Sequence, residues 1–291
     1  MTIALFGNTS KSETMIEVSH ILDYMKRNKV NVLLSQEIRQ ELNIRDMPAF
    51  PEHWEGPQQP ENIYGEPIDF AVSVGGDGTF LTTAATIGDK NIPILGINCG
   101  HLGFLADVQT KDVDQILSKL LAGEYTIEQR ALLSLSCNKE GLILSPNALN
   151  EVAIMKQGFS SMISVEVKVN DEHLHTYNAD GLVFSTPTGS TAYNLSIGGP
   201  LMVPQAKGII LSPIATHSLT VRPLVVPDDW KFDIKVSSRY HNYMISVDGR
   251  SMILSDEVLL HIEKAKYTVK LVQIGENSFL NSLRTKLNWG K

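Results

Sequence analysis

Apolar and polar positions follow two different periods along this chain. Over residues 2–7 (TIALFG) the apolar run is short and continuous, as in a buried strand. Met15, Val18, Ile21, Leu22 and Met25 then recur at three- and four-residue steps, which predicts an amphipathic helix within residues 10–28. NVLLS (31–35), DFAVSVGG (69–76) and IPILGIN (92–98) read as further strands, with helices over residues 79–87 and around 113–125. Strands alternating with helices imply a parallel sheet with right-handed crossovers. A Pro-rich stretch from Arg45 to Glu66 interrupts this order and reads as a surface excursion.

From about Ile127 the period becomes two. RALLSLSCNKEG, ALNEVAIMK, GIILSPIA, KFDIKVSS, YMISVDGRSMILS and EVLLHIEKA are strand-like runs separated by turn residues, a spacing that predicts an all-β domain. SVEVKVNDEHLHTY (164–177) reads as one hairpin with Asn170 and Asp171 at its turn. Phe279, Leu283 and Leu287, four apart, predict a terminal helix that returns to the first domain. The expected organisation is therefore an α/β domain, residues 1–126 with about 265–291, and an all-β domain, residues 127–264.

Composition narrows the partners. A chain of 291 residues with 43% hydrophobic and 20% charged residues can bury a sizeable core. Its formal charge of -7 offers no broad positive field for a polyanion, so nucleic acid is not an expected partner. No apolar run suits a secretory leader or a membrane span, and the expected location is the cytoplasm. Cys99 and Cys137 are too few for a disulfide framework and lack metal-ligand spacing.

Candidate chemistry begins where the third strand ends in Gly75, Gly76, Asp77, Gly78 and Thr79. Glycines between a strand and a helix leave backbone amides open to phosphate oxygens. A carboxylate among those amides repels such a guest, so its presence there calls for a compensating role, either holding a metal ion or accepting a proton from an attacking hydroxyl. The plain alternative is a tight turn in which Asp77 caps the helix. A second block, residues 179–200, strings Thr186, Thr188, Ser190, Thr191 and Tyr193 around Pro187 and Gly189. Such a segment is either an N-capped turn or a wall that hydrogen-bonds a ligand rich in hydroxyls.

Taken together, GGDGTFL, GINCGHLGFLAD, LNEVAI, ADGLVFSTPTGSTAYNLSIGGP, HSLTVRPLVVP and LRTKLNWG resemble the NAD kinase family from end to end. GGDGT alone is shared with diacylglycerol kinases and phosphofructokinases; the block from Asp180 to Pro200 is the specific part. The resemblance implies a Rossmann-like α/β domain and a β-sandwich-like domain with the site between them. It also implies phosphoryl transfer from ATP, helped by a divalent ion such as Mg2+, to the 2'-hydroxyl of the adenosine ribose of NAD, and a homodimer or homotetramer. Metal ligands are not identified by it.

By the same resemblance Asp77 is the catalytic base, while Gly75, Gly76, Gly78 and Thr79 shape the phosphate path. Asn150 and Glu151 hold ribose and neighbouring groups, and Asp180 meets the nicotinamide end. Thr191, Ala192, Tyr193 and Ser196 contact adenine and ribose, with Ala215 and Arg250 as further contacts. Asn178, Thr188 and Asn194 complete the set of binding positions.

The chain also departs from the family's pattern. Asn178 stands where many bacterial members have arginine, and Arg250 where many have glutamine, so charge near the dinucleotide is expected to be supplied differently. Ser161 precedes Met162 where some relatives have histidine. His101 and His217 lie in family-like segments, but turn and strand-end histidines need no function; His173 and His175 alternate on a strand without a third metal ligand. A lipid kinase would also use Asp77, but it calls for an apolar or basic membrane-facing surface. A non-catalytic NAD or NADP sensor would keep the binding wall and dispense with the base.

Overall fold

A computed structural model describes residues 1–50, 67–100, 103–106, 108–143, 146–158, 161–275 and 279–290. Most of the Pro-rich stretch and His101 lie outside the described residues. The elements through the first part of the chain are β1 (Thr2–Gly7), α1 (Ser12–Arg27), β2 (Asn31–Leu34), α2 (Gln36–Glu41), β3 (Phe70–Gly75), α3 (Asp77–Ile87), β4 (Ile94–Asn98), β5 (Val108–Gln109) and α4 (Val113–Ala122). Next come β6 (Thr126–Cys137), β7 (Asn147–Ala148), β8 (Glu151–Met155), β9 (Ile163–Val169), β10 (Glu172–Ala179), β11 (Gly181–Ser185) and the short α5 (Tyr193–Ser196). The last are β12 (Ile209–Ile214), β13 (Leu224–Val226), β14 (Phe232–Ser237), β15 (Asn242–Val247), β16 (Arg250–Ser255), β17 (Leu260–Gln273) and α6 (Phe279–Lys286).

The chain forms two compact units, Met1–Gln129 with Val269–Lys291, and Arg130–Thr268. In the first, β2, β1, β3 and β4 lie side by side, all parallel, and β4 also pairs in parallel with β5 and with Leu271 of β17. These strands are apolar almost throughout because both faces are covered. Ile3, Leu5, Val72, Val74, Leu95 and Ile97 share one core cluster with Val18, Ile21 and Met25 of α1 and Leu117 and Leu120 of α4. α3 packs on β1, β3 and β4, burying Phe80, Thr83, Ala84 and Ile87. Small residues admit it: a Cβ on Gly96 would lie 3.1 Å from the Phe80 ring. α6 buries Leu283 and sets Phe279 against the Phe104 ring at 6.3 Å.

The second unit is built on antiparallel pairing. One sheet runs β13-β12-β11-β8-β15-β16, and β10, β9, β14 and the start of β17 pair in a second set. Their apolar residues form one cluster, in which Phe184 of β11 meets Phe232 of β14 edge to face at 5.1 Å. Asn170 and Asp171 both take positive φ (49° and 70°) at the β9–β10 turn, as expected for a two-residue hairpin connection.

Two local expectations need correction, the start of α3 and the single strand read over ALNEVAIMK, and one element, α2, is added. α3 begins at Asp77 rather than Thr79, with Gly76 as its N-cap. A short helix, α2, follows β2; its N-cap Ser35 accepts from the Ile38 N–H. ALNEVAIMK is two strands, β7 and β8, separated at Leu149 and Asn150 because the N–H groups there are taken by a side chain and not by a ladder.

Candidate active site

The Gly75–Thr79 turn is positioned by the first unit. β3 delivers it from the centre of the parallel sheet, and α3 starts within it, so unpaired helix N–H groups point away from the sheet edge. A Cβ on Gly76 or Gly78 would meet nothing within 4 Å. Packing therefore does not demand these two glycines, and the open approach they leave is what an anion needs.

Asp77 does not cap its own helix. Its Oδ2 accepts from the Phe104 N–H at 2.8 Å, and its Oδ1 accepts from Leu105 at 2.9 Å and Ala106 at 3.0 Å. Three successive amides of another loop thus fix one carboxylate. Gly103 makes this approach feasible: a Cβ there would sit 1.9 Å from Asp77 Oδ1. Beside the turn lies a cavity of about 670 Å³, lined by Asn8, Thr9, Ser35, Gly78, Thr79 and Thr82 among others.

Within the second unit, Asn150 and Glu151 sit where β8 begins. Asp248, at the β15–β16 turn, accepts from the N–H groups of Leu149 (2.7 Å), Asn150 (2.9 Å) and Glu151 (3.0 Å). The carbonyl side of the same segment is held by the hydroxyl-rich block. Thr186 donates its hydroxyl to the Leu149 carbonyl at 2.6 Å and its N–H to the Asn150 carbonyl at 2.9 Å. A Cβ on Gly189 would lie 2.2 Å from that Asn150 carbonyl oxygen. Pro187-Thr188-Gly189 is therefore shaped by contact with the Asn150 backbone.

Burial, with the Asp248 charge adding to it, pushes the Glu151 carboxyl up to about 7, against a hydrogen bond from the Tyr193 N–H. Its Oε2 is buried with no hydrogen-bond partner among the described residues. An acceptor held in that state is costly unless a ligand supplies a donor. Asp248 is likewise raised by burial, opposed by its three N–H donors and by the Arg250 charge.

Other expected site residues fall into distinct settings. Thr188 is buried and accepts from an Arg130 Nη1–H at 3.4 Å. The Asn194 amide is buried, accepting from the Ser212 hydroxyl and donating to the Ser190 and Pro200 carbonyls. Thr191 and Ala192 are half-buried and Ser196 is exposed, while the Tyr193 hydroxyl points to Met155 Sδ at 3.9 Å. Arg250 donates to the Asn147 carbonyl at 3.1 Å.

Asp180, between β10 and β11, lies near Ala215 and Asn178 through the backbone. Its N–H donates to the Ile214 carbonyl, and the Asn178 carbonyl accepts from the His217 N–H. Its carboxylate is paired with Lys156 Nζ at 2.8 Å. Asn178 is exposed. The described residues include no group of three or more His, Cys, Asp or Glu placed to hold a metal ion, and no helix long and apolar enough to cross a membrane.

Sequence reasoning passed over Gly103, Lys156 and Asp248. Asp248 carried no signal of its own: Asp-Gly is an ordinary hairpin turn, and the amides it holds lie 97 to 99 residues away. Lys156 directly follows a strand and has no motif around it.

Comparison with known proteins places the whole chain in a family. Residues 3–125 match the model of the ATP-NAD kinase N-terminal domain, and residues 149–274 that of the ATP-NAD kinase C-terminal domain. An NAD kinase of Bacteroides fragilis is 40% identical over 100% of this chain and 98% of its own. One of Flavobacterium johnsoniae is 37% identical over 100% and 99%. Among solved structures, yeast NADH kinase complexed with NADH superimposes with a TM-score of 0.85 at 22% identity, covering 100% of this chain and 88% of that one. An NAD kinase from Archaeoglobus fulgidus in complex with ATP gives 0.73 at 25% identity, covering 100% and 98%. With both domain models matched in order and relatives of this identity along the whole length, the chain belongs to the NAD kinase family.

Proposed function

We propose that this chain transfers the terminal phosphoryl group of ATP to the 2'-hydroxyl of the adenosine ribose of NAD, giving NADP and ADP, with Asp77 as proton acceptor. The observation that carries this reading is the Gly75–Thr79 turn, where a fixed carboxylate stands among open amides at a helix N-terminus. Phosphate oxygens of the donor lie against those amides, and the hydroxyl-lined cavity beside Gly78 and Thr79 takes the rest of the nucleotide. The complexes of the Archaeoglobus kinase with ATP and of the yeast kinase with NADH support the pairing of these ligand classes.

The ribose oxygen forms a bond to the γ-phosphorus while the bond from that phosphorus to the bridging oxygen breaks, and the hydroxyl proton passes to Asp77. In a loose transition state that proton leaves late, so orientation matters more than base strength. The bonds from Phe104, Leu105 and Ala106 supply the orientation. In the second unit the unpartnered Glu151 Oε2 accepts from a sugar hydroxyl, with Asn150 beside it.

A divalent ion, Mg2+ first, would supply charge neutralisation for the phosphoryl group when bound with the donor. Asp77, the one carboxylate of the turn, would be the protein group nearest to such an ion, with donor phosphates and water completing its shell. Thr188, Thr191, Ala192, Tyr193, Asn194, Ser196, Ala215, Asn178, Asp180 and Arg250 belong to the dinucleotide wall in this reading. A cytoplasmic location and a homodimer or homotetramer complete it.

Incubating the protein with NAD, ATP and Mg2+ and assaying the product with an NADP-specific dehydrogenase tests the reading. NADP should accumulate. Phosphorylated lipid in place of NADP, or thermal stabilisation by NAD without turnover, would replace it. Gly103→Ala probes the geometry without touching a reacting group: its methyl must displace Asp77, so kcat should fall about a hundredfold. Activity equal to wild type would show that Asp77's position is unimportant.

A further inference from the structure

Asp248 carries more than a hairpin needs. Its turn asks only for positive φ at Asp248 (47°) and Gly249 (82°), which asparagine satisfies as well as aspartate. Yet the carboxylate uses both oxygens on the N–H groups of Leu149, Asn150 and Glu151, while its own N–H donates to the Glu151 carbonyl at 3.1 Å. The Asn150–Glu151 peptide is thereby fastened from the N–H side by Asp248 and from the carbonyl side by Thr186.

We propose that Asp248 is the positioning residue for the Asn150–Glu151 pair, acting through the main chain it holds and through its negative charge beside the Glu151 carboxyl. This rests on the reading of that pair as the sugar-binding part of the site. Asp248 touches no reacting atom in this account. It fixes where the Glu151 carboxyl points, and its charge opposes ionisation of Glu151.

The groups acting on the two carboxyls can be named. From the β15–β16 hairpin come Asp248 itself and Arg250, which attracts Asp248; from α5 comes the Tyr193 N–H, which bonds Glu151; from the start of β8 come the three amides. With Glu151 held at about 7, affinity for the sugar hydroxyl increases as pH rises through neutrality and the carboxylate forms. Removing the Asp248 charge makes that ionisation easier, so the same limb should move toward acid.

The test compares wild type, Asp248→Asn and Glu151→Gln, each as the full chain, by the pH dependence of KM for NAD. Wild type should show a limb near neutrality, and Glu151→Gln none. Asp248→Asn should shift the midpoint about one pH unit toward acid, the size expected of one buried like charge. It should also raise KM several-fold, because an amide nitrogen meets the Leu149 N–H. A purely structural role would change KM without moving the limb, and an unmoved limb overturns the proposal.

Amide exchange in the wild type covers the case in which Asp248→Asn does not fold. The N–H groups of Leu149, Asn150 and Glu151 should be protected, and exchange at the rate of open loops would overturn the proposal. Should the wild type form no NADP, the site reading fails first, and the exchange measurement still decides whether Asp248 holds the segment.

Discussion

Asp77→Asn is expected to lower kcat for NADP formation by roughly 10³-fold, the scale on which a general base acts, while KM for ATP and NAD stays within a few-fold. The substitution keeps the shape of the side chain and removes its capacity to take a proton. It also turns one oxygen acceptor into a donor. If the amide oxygen takes the place of Oδ1, the Phe104 N–H loses its partner at Oδ2, a local cost of about 1–3 kcal/mol. Both effects are therefore measured together, kcat by initial rates and stability by thermal melting. A lowered Tm with kcat within tenfold of wild type would make Asp77 a clamp for the 104–106 loop and move the proton acceptor elsewhere. A large loss of kcat with bound NAD still detectable by calorimetry supports the base.

Glu151→Gln is expected to stabilise the second unit at alkaline pH while weakening NAD binding. Folding raises this carboxyl from 4.5 to about 7, so the folded chain binds the proton more tightly than the unfolded one. The associated stability is fully present below the unfolded value and is lost as pH rises through about 7. At pH 8 the wild type keeps a buried charge with an unpartnered oxygen, and glutamine removes it, a gain of about 3 kcal/mol at most. Near pH 4 the two proteins should melt alike. Melting curves across that range check the sign: a variant that is less stable than wild type at pH 8 would contradict the raised carboxyl. The pattern is that of a residue kept for binding against its own effect on stability.

Periodicity carried the architecture because it reports burial directly. The continuous apolar strands of the first unit and the alternation in Ile163–Val169 each state how many faces are covered. The Asn170-Asp171 turn was readable for a similar reason, since few residue pairs accept two positive φ values. The start of α3 was harder, because Gly-Asp-Gly reads as a turn until the 104–106 amides are seen to occupy the aspartate. The break between β7 and β8 was beyond reach: its cause, Asp248, lies 98 residues from Asn150. The environment of Glu151 was hidden for the same reason, as neither the charge of Asp248 nor the Tyr193 N–H is adjacent in the chain. Lys156, which pairs with Asp180, stands at a position that no motif marks.

The three amides on Asp77 also bear on the stereochemistry of transfer. An aspartate can serve as a phosphate carrier, taking the phosphoryl group as an acyl phosphate and passing it on, which inverts phosphorus twice and returns the original configuration. Three N–H donors already stabilise the Asp77 anion, and attack on phosphorus would give up part of those charge-assisted bonds, about 1.5–3 kcal/mol each. Held as it is, this carboxylate is weakened as a nucleophile, while Oδ2, with one N–H donor against two at Oδ1, keeps a lone pair for the hydroxyl proton of the proposed reaction. In the proposed reaction the γ-phosphorus is therefore inverted once, with no phosphorylated form of the protein between ATP and NADP.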